Sequence, residues 1–165
     1  MLCTRFVNKW SLPQPELGLA VWELVSGQPY ALSEGQVQQF FNPSYLENAL
    51  TVVISIKDPS CLNSATPIAA CFWRIVLDEA ELDYMTVANG FRGAGLGFEL
   101  LSVSEQFLHL HGCVRATLEV SEKNLVAKRI YEASGYQDIG KRKGYYKNGE
   151  SAWVMAKHFG VANRT

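Results

Sequence analysis

The feature that most constrains the fold of this chain is a glycine-rich hexapeptide, Arg92-Gly93-Ala94-Gly95-Leu96-Gly97. A strand-like run, Leu82–Val87, precedes it, and a helical stripe follows at spacings of four and three residues: Leu96, Leu100, Val103, Phe107 and Leu110. Glycine lets a backbone pass close to a ligand, and a helix N-terminus presents N–H groups that have no partner within the helix. The pattern therefore predicts a strand–loop–helix unit that can hold a phosphate group.

Three further helical segments are predicted. Residues 15–26 begin with proline and glutamate and turn these side chains toward one face: Leu19, Trp22 and either Leu24 or Val25. A second helix begins at Ser33-Glu34 and ends at Asn42-Pro43. The last helix is predicted at Asn124–Ser134 and is expected to end before Gly135. Gly112 is expected to end the helix after the glycine loop in the same way.

Runs of β-branched and apolar residues predict the strands of a sheet. They are Thr51–Ile56, Ile68–Leu77, Glu81–Val87, Val114–Val120, Tyr136–Gly140 and Ser151–His158. A turn at Asp78-Glu79-Ala80 is expected to join the second and third of these strands. Lys57–Pro67 and the basic, tyrosine-bearing segment Lys141–Glu150 predict loops. The order of elements predicts an α/β sheet with mixed strand directions and a central strand–helix–strand crossover.

Composition places the chain among folded proteins of one domain. Its 165 residues suffice for one buried core, so a single domain over residues 1–165 is expected. A hydrophobic content of 48% excludes a disordered chain. A net charge of −1 gives no reason to expect a nucleic acid or an anionic membrane as partner. The sequence contains no uninterrupted run of about eighteen apolar residues, so no membrane span is predicted. No signal peptide is apparent.

The cysteines and histidines predict no metal site. Cys-x-x-Cys pairs and zinc-finger spacings are missing among Cys3, Cys61, Cys71 and Cys113. His109 and His111 stand two residues apart on a predicted helix, where their side chains face different directions. Free thiols suit a reducing compartment, so a cytoplasmic location is expected.

The hexapeptide by itself leaves several interpretations open. No Gly-Lys-Ser/Thr follows it, which excludes a Walker loop. A dinucleotide-binding loop needs an acidic residue at the end of the next strand, and only Glu119 could be read in that way. A tight turn that holds no ligand also satisfies the pattern.

A second motif narrows these alternatives. Leu118-Glu119-Val120 is followed by Asn124, then by Tyr131-Glu132 and by Gly135-Tyr136. Together with the Arg-x-x-Gly-x-Gly form of the glycine loop, this pattern resembles the GCN5-related N-acetyltransferase (GNAT) family. Within that family it is most similar to the bacterial enzymes that acetylate a ribosomal-protein alanine. The resemblance covers roughly residues 15–158 and is strong from about residue 68 onward.

The resemblance implies a fold and a cosubstrate. The fold is a mixed, mostly antiparallel central sheet flanked by helices, with acyl-coenzyme A at the splayed central strands and no metal. In the family, the loop N–H groups and the helix dipole hold the pyrophosphate. The residues so implied to bind acetyl-coenzyme A are Arg92, Gly93, Ala94, Gly95, Leu96, Gly97, Phe98 and Asn124. The backbone of Met85, Thr86 and Val87 is implied to pair with the pantetheine arm.

The resemblance also assigns the proton-transfer groups. Acetyl transfer to an amine needs a neutral nucleophile and a proton for the departing thiolate. Glu119 is implied to be the base, acting through water, and Tyr131 the acid, since a phenol of pKa ~10 can protonate a thiolate. Asp83 and Glu81, on the strand before the glycine loop, are alternative bases. On spacing alone, Tyr131 also suits a core position and Glu119 a solvated one.

The expected function is transfer of acetyl from acetyl-coenzyme A to a protein N-terminal α-amine, with alanine of a small-subunit ribosomal protein as acceptor. Two alternatives stay open: acetylation of a small amine or a lysine side chain, and a non-catalytic module that binds coenzyme A. A membrane partner is not expected, and nucleic acid is not expected as substrate. The basic residues of the late loop are expected to be simply solvated: Lys141, Arg142, Lys143 and Lys147. The alternative is that they contact ribosomal RNA or the 3′-phosphate of the coenzyme.

Overall fold

The computed structural model describes residues 2–7, 15–28, 30–42, 44–57 and 65–160. Its strands and helices are, in chain order, β1 (Leu2–Val7), α1 (Pro15–Val25), α2 (Glu34–Gln39), β2 (Ala49–Lys57), β3 (Ala65–Val76), β4 (Glu79–Val87), α3 (Leu96–Leu110), β5 (Arg115–Ser121), α4 (Leu125–Ala133), β6 (Gln137–Arg142) and β7 (Ala152–His158). Short 3-10 turns cover Leu46–Asn48 and Asn89–Phe91. Every predicted helix and strand is present, and β1 is an additional strand that the pattern did not predict.

The seven strands form one sheet in the order β1-β2-β3-β4-β5-β7-β6. β1 with β2, β2 with β3, β5 with β7 and β6 with β7 pair antiparallel, whereas β4 and β5 pair parallel. A parallel pair needs a crossover connection, and α3 supplies it between β4 and β5. The predicted α/β sheet with mixed directions and a central crossover is therefore confirmed.

The chain folds as two compact units. Unit 1 contains the residues up to Arg74 together with Tyr84–Leu100, and unit 2 contains Ile75–Asp83 together with the residues from Leu101 onward. The glycine loop lies in unit 1, whereas the candidate acid–base residues Glu119 and Tyr131 lie in unit 2. The prediction of a single domain over residues 1–165 stays a prediction.

Unit 1 has its core around one face of α1. Leu17, Val21 and Val25 recur every four residues and are buried against β2 and β3 side chains such as Val53 and Phe72. The prediction that Leu19 faces the core is wrong, because Leu19 lies on the other side of the helix and is 50% exposed. Trp22 and Leu24 pack against the core and are partly buried.

The start of α2 follows its predicted capping residues. The Ser33 hydroxyl oxygen accepts the Gln36 N–H at 3.3 Å, and the Gln36 side-chain oxygen accepts the Ser33 N–H at 2.9 Å. This reciprocal capping box satisfies backbone donors that a helix start leaves unpaired. The helix ends at Gln39, with Phe40 as its C-cap, so it is shorter than predicted; Pro43 of the predicted boundary Asn42-Pro43 lies outside the described residues.

The buried face of α3 differs from the predicted stripe. Leu96 and Leu100 are buried as expected, but Leu110 is 82% exposed, so its predicted place in the core is wrong. Leu110 is the last residue of the helix, and its side chain points to solvent. The buried face instead includes two polar residues, Ser104 and Glu105, which no apolar pattern can indicate.

Three loop boundaries differ from prediction. The tight turn between β3 and β4 is Leu77-Asp78, and Glu79 already begins β4. The predicted loop Lys57–Pro67 is shorter, because β2 runs to Lys57 and β3 begins at Ala65; residues 58–64, including Cys61, lie outside the described residues. Lys141 and Arg142, predicted as loop, belong to β6.

Two glycines of the helical hairpin offer a test of this packing. A Cβ at Gly18 in α1 would lie 2.7 Å from Gln38 Oε1 and 3.2 Å from the Phe41 ring, whereas a Cβ at Gly35 in α2 would meet nothing within 4 Å. Gly18→Ala is expected to lower the free energy of unfolding by about 1–3 kcal/mol through overpacking. Gly35→Ala is expected to raise it by roughly 0.5–1 kcal/mol, because alanine loses less backbone entropy.

Urea titration of both variants measures the two changes. Equal effects of the two substitutions would contradict the close approach of α1 to Phe41.

Candidate functional site

The glycine loop of unit 1 has the backbone that an anion site requires. Gly93 and Gly95 adopt positive φ angles of 80° and 81°, a conformation that side chains disfavour. A Cβ at either glycine would meet no atom within 4 Å, so space is open around both. α3 begins directly after the loop, at Leu96.

The first N–H groups of α3 point out of the helix. The first helical hydrogen bond in this turn runs from the Glu99 N–H to the Gly95 carbonyl, at 3.0 Å. The N–H groups of Leu96, Gly97 and Phe98 therefore precede any possible acceptor within α3. With the helix dipole, they form a site suited to a phosphate.

Arg92 stabilises the start of the loop. Its Nε donates to the Val87 carbonyl at 3.1 Å, and its Nη2 donates to Gln28 Oε1 at 2.5 Å. These bonds tie the end of β4 to the segment after α1 within unit 1. The predicted contact of Arg92 with a phosphate stays a prediction.

Met85, Thr86 and Val87 lie at the end of β4. Residues Glu79–Leu82 of β4 pair with Arg115–Leu118 of β5, so Met85, Thr86 and Val87 lie beyond the part of β4 that pairs with β5. Thr86 is buried and its side chain hydrogen-bonds Tyr84, whose pKa is raised by burial. The Val87 carbonyl accepts the Arg92 bond, and pairing of this stretch with a pantetheine arm stays a prediction.

Glu119 lies in unit 2 on a face of the sheet that the strand register defines. Glu119 is opposite Val154, and Ser121 is opposite Ala152. Directly opposite residues point to the same side of a sheet, so these four share one side, here called the glutamate face. Asp138, Lys141, Trp153 and Met155 share the opposite side, here called the helix face.

Two groups hold the Glu119 carboxylate. Arg142 Nε is 2.8 Å from Glu119 Oε1, and the Glu119 side chain is only 12% exposed. The Tyr145 phenol also hydrogen-bonds Glu119, which raises the pKa of Tyr145 to about 12; burial adds to the increase. Tyr145 is therefore a neutral donor at ordinary pH, and its ring lies 5.6 Å from the Arg142 guanidinium carbon.

The prediction that the basic residues of this region are simply solvated is wrong for Arg142 and Lys141. Lys141 Nζ lies 2.6 Å from Glu122 Oε2 and 4.7 Å from the centre of the Trp153 ring. This hydrogen bond, together with one from the Ser151 N–H, lowers the pKa of Glu122. Sequence reasoning missed Arg142 and Tyr145 because their contacts with Glu119 depend on how β6 pairs with β7.

The alternative bases lie on the same face as Glu119. Glu79 is opposite Arg115 and Glu81 is opposite Thr117. Arg115 and Thr117 point to the glutamate face, because every second residue of β5 points to the same side as Glu119. Asp83 follows Glu81 by two residues and shares its side of β4. Glu79 forms an ion pair with Arg115 at 3.1 Å, whereas the charge of Glu81 contributes to the raised pKa of Tyr145. The structure therefore brings Glu119, Glu81 and Asp83 onto one side without choosing among them.

Asn124 caps the start of α4, a structural role that was not predicted from the sequence. It is the N-cap of α4, and its Oδ1 accepts the Ala127 N–H at 3.2 Å. This bond satisfies a backbone donor at the start of the helix. The predicted contact of Asn124 with a coenzyme stays a prediction.

Tyr131 lies on the other side of the sheet from Glu119. Lys128 of the same helix, α4, bonds Asp138 at 2.9 Å and lies 5.3 Å from the Trp153 ring, which places α4 over the helix face. Tyr131 is 6% exposed and packs edge-on against Tyr136, with ring centres 5.9 Å apart. The helix that carries Tyr131 therefore packs on the side of the sheet opposite to the Glu119 side chain.

Neither a metal cluster nor a membrane-spanning helix is found in the part of the chain that the structure describes. No group of three or more His, Cys, Asp or Glu side chains there is arranged to hold a metal ion. None of the described helices combines the length and the apolar character that crossing a membrane demands. Cys71 and Cys113 are buried thiols, and burial raises the pKa of Cys113.

Residues 22–136 match the family described as "Acetyltransferase (GNAT) family". A [ribosomal protein bS18]-alanine N-acetyltransferase of Haemophilus ducreyi is 32% identical over 93 residues, which are 54% of this chain and 64% of that protein. The chain thus spans less than two thirds of that relative. The enzyme of the same description from Haemophilus influenzae is 30% identical over 129 residues, which are 76% of this chain and 77% of that protein.

Solved structures share the fold over nearly the whole chain. The ribosomal-protein-S18-alanine N-acetyltransferase from Escherichia coli superposes with a TM-score of 0.81 at 24% identity, covering 100% of this chain and 98% of that chain. Arabidopsis thaliana NAA60 in complex with acetyl-CoA gives a TM-score of 0.81 at 14% identity, covering 96% and 99%. The predicted acetyltransferase fold, a mixed and mostly antiparallel sheet flanked by helices, is confirmed, and the sheet has seven strands.

Proposed function

Because the chain belongs to the acetyltransferase (GNAT) family, we propose that it transfers acetyl from acetyl-coenzyme A to the N-terminal α-amine of a protein. Membership of this family supports the activity of an acetyl-CoA-dependent N-acetyltransferase. The observation that carries the proposal is the glycine loop, with two positive-φ glycines in open space at the start of α3. We further propose an N-terminal alanine of a small-subunit ribosomal protein as the acceptor.

The coenzyme is proposed to bind through the loop and the end of β4. Its pyrophosphate would accept hydrogen bonds from the backbone of Gly93–Phe98, with Arg92 at the start of the loop. The pantetheine arm would pair with Met85–Val87, which lie beyond the register of β4 with β5. Asn124 would contribute its amide while it caps α4. The acetyl-CoA seen with the similar fold of Arabidopsis NAA60 supports this assignment.

Glu119 is proposed as the base for the acceptor amine. The amine nitrogen attacks the thioester carbonyl carbon, and its proton passes through water to the carboxylate. Glu81 and Asp83, on the same side of unit 2, would add negative charge that attracts an ammonium group. An α-amine of pKa ~8 loses its proton far more easily than a lysine of pKa ~10.4, so one carboxylate suffices.

Tyr131 is proposed as the acid for the leaving group. The C–S bond breaks as the amide forms, and the phenol gives its proton to the coenzyme thiolate. Its place on the helix face, away from Glu119, supports a separate task for each residue. Burial of Tyr131 also suits a packing role, which the second prediction below separates from catalysis.

The relatives support the proposed acceptor, since two of them are described as alanine N-acetyltransferases of ribosomal protein bS18. A ribosomal acceptor and reduced cysteines at positions 3, 71 and 113 suit a cytoplasmic location, which is part of the proposal. The competing functions are acetylation of a small amine or a lysine, and coenzyme binding without catalysis. Turnover of acetyl-coenzyme A with a panel of peptides and small amines distinguishes all three.

The first prediction concerns the glycine loop. Coenzyme A at 100 times its dissociation constant should stabilise the protein by about 2.7 kcal/mol. Gly95→Glu should abolish this gain, because its carboxylate would occupy the phosphate position and repel the ligand. Thermal unfolding with and without the ligand measures the change.

Gly112→Glu is the matched control, since Gly112 also has a positive φ, of 96°, but follows the C-terminus of the same helix. It should strain the backbone to a similar degree and keep the full ligand effect. An unchanged melting temperature of the native protein at millimolar acetyl-coenzyme A would refute the proposed cosubstrate.

The second prediction concerns the acid. Tyr131→Phe should lower kcat by about 10²–10⁴ with coenzyme binding nearly intact, because only the proton donor is removed. Steady-state kinetics and ligand-induced thermal shifts measure the two effects. Loss of folding stability in parallel with activity would instead identify Tyr131 as a packing residue.

The third prediction concerns the base and the acceptor. A peptide that begins with alanine should be acetylated at its terminus, with a rate that rises with pH and levels off near ~8, where the α-amine loses its proton. A peptide with a blocked terminus and free lysines should be nearly inert. Mass spectrometry of the products identifies the modified nitrogen.

Glu119→Gln should reduce turnover most at low pH, where the free amine is scarce, and should leave coenzyme binding intact. Asp83→Asn and Glu81→Gln are the matched controls and should reduce turnover much less. Efficient acetylation of lysine on the blocked peptide would rule out the N-terminal acceptor. A larger effect of Asp83→Asn than of Glu119→Gln would move the base to β4.

A further inference from the structure

We propose that Arg142 is a positioning residue for the Glu119 carboxylate, and that a one-residue β-bulge in β6 places it there. The inference deepens the proposed function and rests on the assignment of Glu119 as the base. Its observations are the 2.8 Å contact between Arg142 Nε and Glu119 Oε1 and the pairing register of β6 with β7.

The bulge lies at Ile139. Asp138 pairs with Met155, but the next paired residue of β6 is Gly140, which pairs with Val154, so Ile139 is an extra residue without a counterpart on β7. Beyond it, Lys141 is opposite Trp153 and Arg142 is opposite Ala152. Bulges of this kind change which way the following side chains point.

The bulge decides which basic side chain meets Glu119. Ala152 lies on the glutamate face, so its partner Arg142 does too, whereas Lys141 lies with Trp153 on the helix face. An unbroken register from Asp138 onward would pair Lys141 with Ala152 and reverse the two sides. The observed contact of Lys141 with the Trp153 ring agrees with the bulged register.

Small residues leave the path from Arg142 to Glu119 open. The two side chains project from β6 and β5, which flank β7, and Arg142 is displaced along β7 by two residues from the position opposite Glu119. Gly140 occupies the directly aligned position and has no side chain. Ala152, the β7 residue paired with Arg142, is fully buried and carries only a methyl group.

Orientation, rather than stability, is what this ion pair provides. The Arg142 side chain is 60% exposed, and exposed ion pairs contribute little to folding. The terminal torsion of a glutamate is broad, so an isolated carboxylate rotates easily. A planar guanidinium donor and the Tyr145 phenol together restrict that rotation, which an ammonium point charge does less well.

A double-mutant cycle tests the inference. Arg142→Gln in the native background should lower kcat about 10-fold to 100-fold, the size expected when a reacting group is misplaced. The KM for acetyl-coenzyme A and the melting temperature should change little. In the Glu119→Gln background, Arg142→Gln should have almost no further effect on kcat, because the group it positions is already gone.

Matched variants distinguish positioning from charge alone. Lys147→Gln removes the same charge from the same exposed hairpin and should leave kcat unchanged. Arg142→Lys keeps the charge and should retain only part of the native kcat. Added guanidinium should raise the lowered kcat of Arg142→Ala and should leave the kcat of Lys147→Ala unchanged.

The results separate this inference from the proposed function. A loss of turnover in Glu119→Gln with none in Arg142→Gln overturns the positioning role alone. Equal losses from Arg142→Gln in both backgrounds also overturn it, since Arg142 would then act independently of Glu119. Unchanged turnover in Glu119→Gln overturns the base assignment and the positioning role with it.

Discussion

The antiparallel ladders that join β7 to β5 on one side and to β6 on the other are the constraint on which the candidate base depends. Side chains alternate strictly along a strand, so a single register decides which charged groups meet across three strands. The extra residue at Ile139 changes that register and brings Arg142 to Glu119. The raised pKa of Tyr145 follows from the same geometry, because the carboxylate that accepts its hydrogen bond also disfavours its ionisation.

The glycine loop could be predicted because its geometry is local. Two glycines with positive φ and a helix that begins at Leu96 depend only on neighbouring residues, and the sequence pattern indicated both. The order of strands and helices around the loop was predictable for the same reason, since periodicity and turn residues act over short segments. β1 was missed because its short run, Leu2–Val7, becomes a strand by pairing along its length with β2, far away in the sequence.

The surroundings of Glu119 could not be predicted, because they arise from long-range pairing. Nothing in the basic segment distinguishes Arg142 from Lys141, and the only local signal of the bulge is Gly140 beside Ile139. The buried face of α3 was obscured in a similar way. Glu105 is buried there because Lys157 of β7 lies 2.6 Å from its carboxylate, a partner that comes 52 residues later.

The separation of Glu119 and Tyr131 onto opposite sides of the sheet bears on how acceptor preference could change. In unit 2, the glutamate face carries Glu81, Asp83 and the Arg142–Tyr145 pair, whereas α4 and its Lys128 contacts occupy the helix face. Substitutions on the glutamate face can therefore alter the charge around Glu119, where the acceptor amine is proposed to bind, without disturbing the packing of Tyr131. The hairpin after Arg142 is exposed and reaches Glu119 through the Tyr145 side chain, so substitutions there are expected to change the orientation of the carboxylate while the β5–β7 ladder keeps its backbone in place.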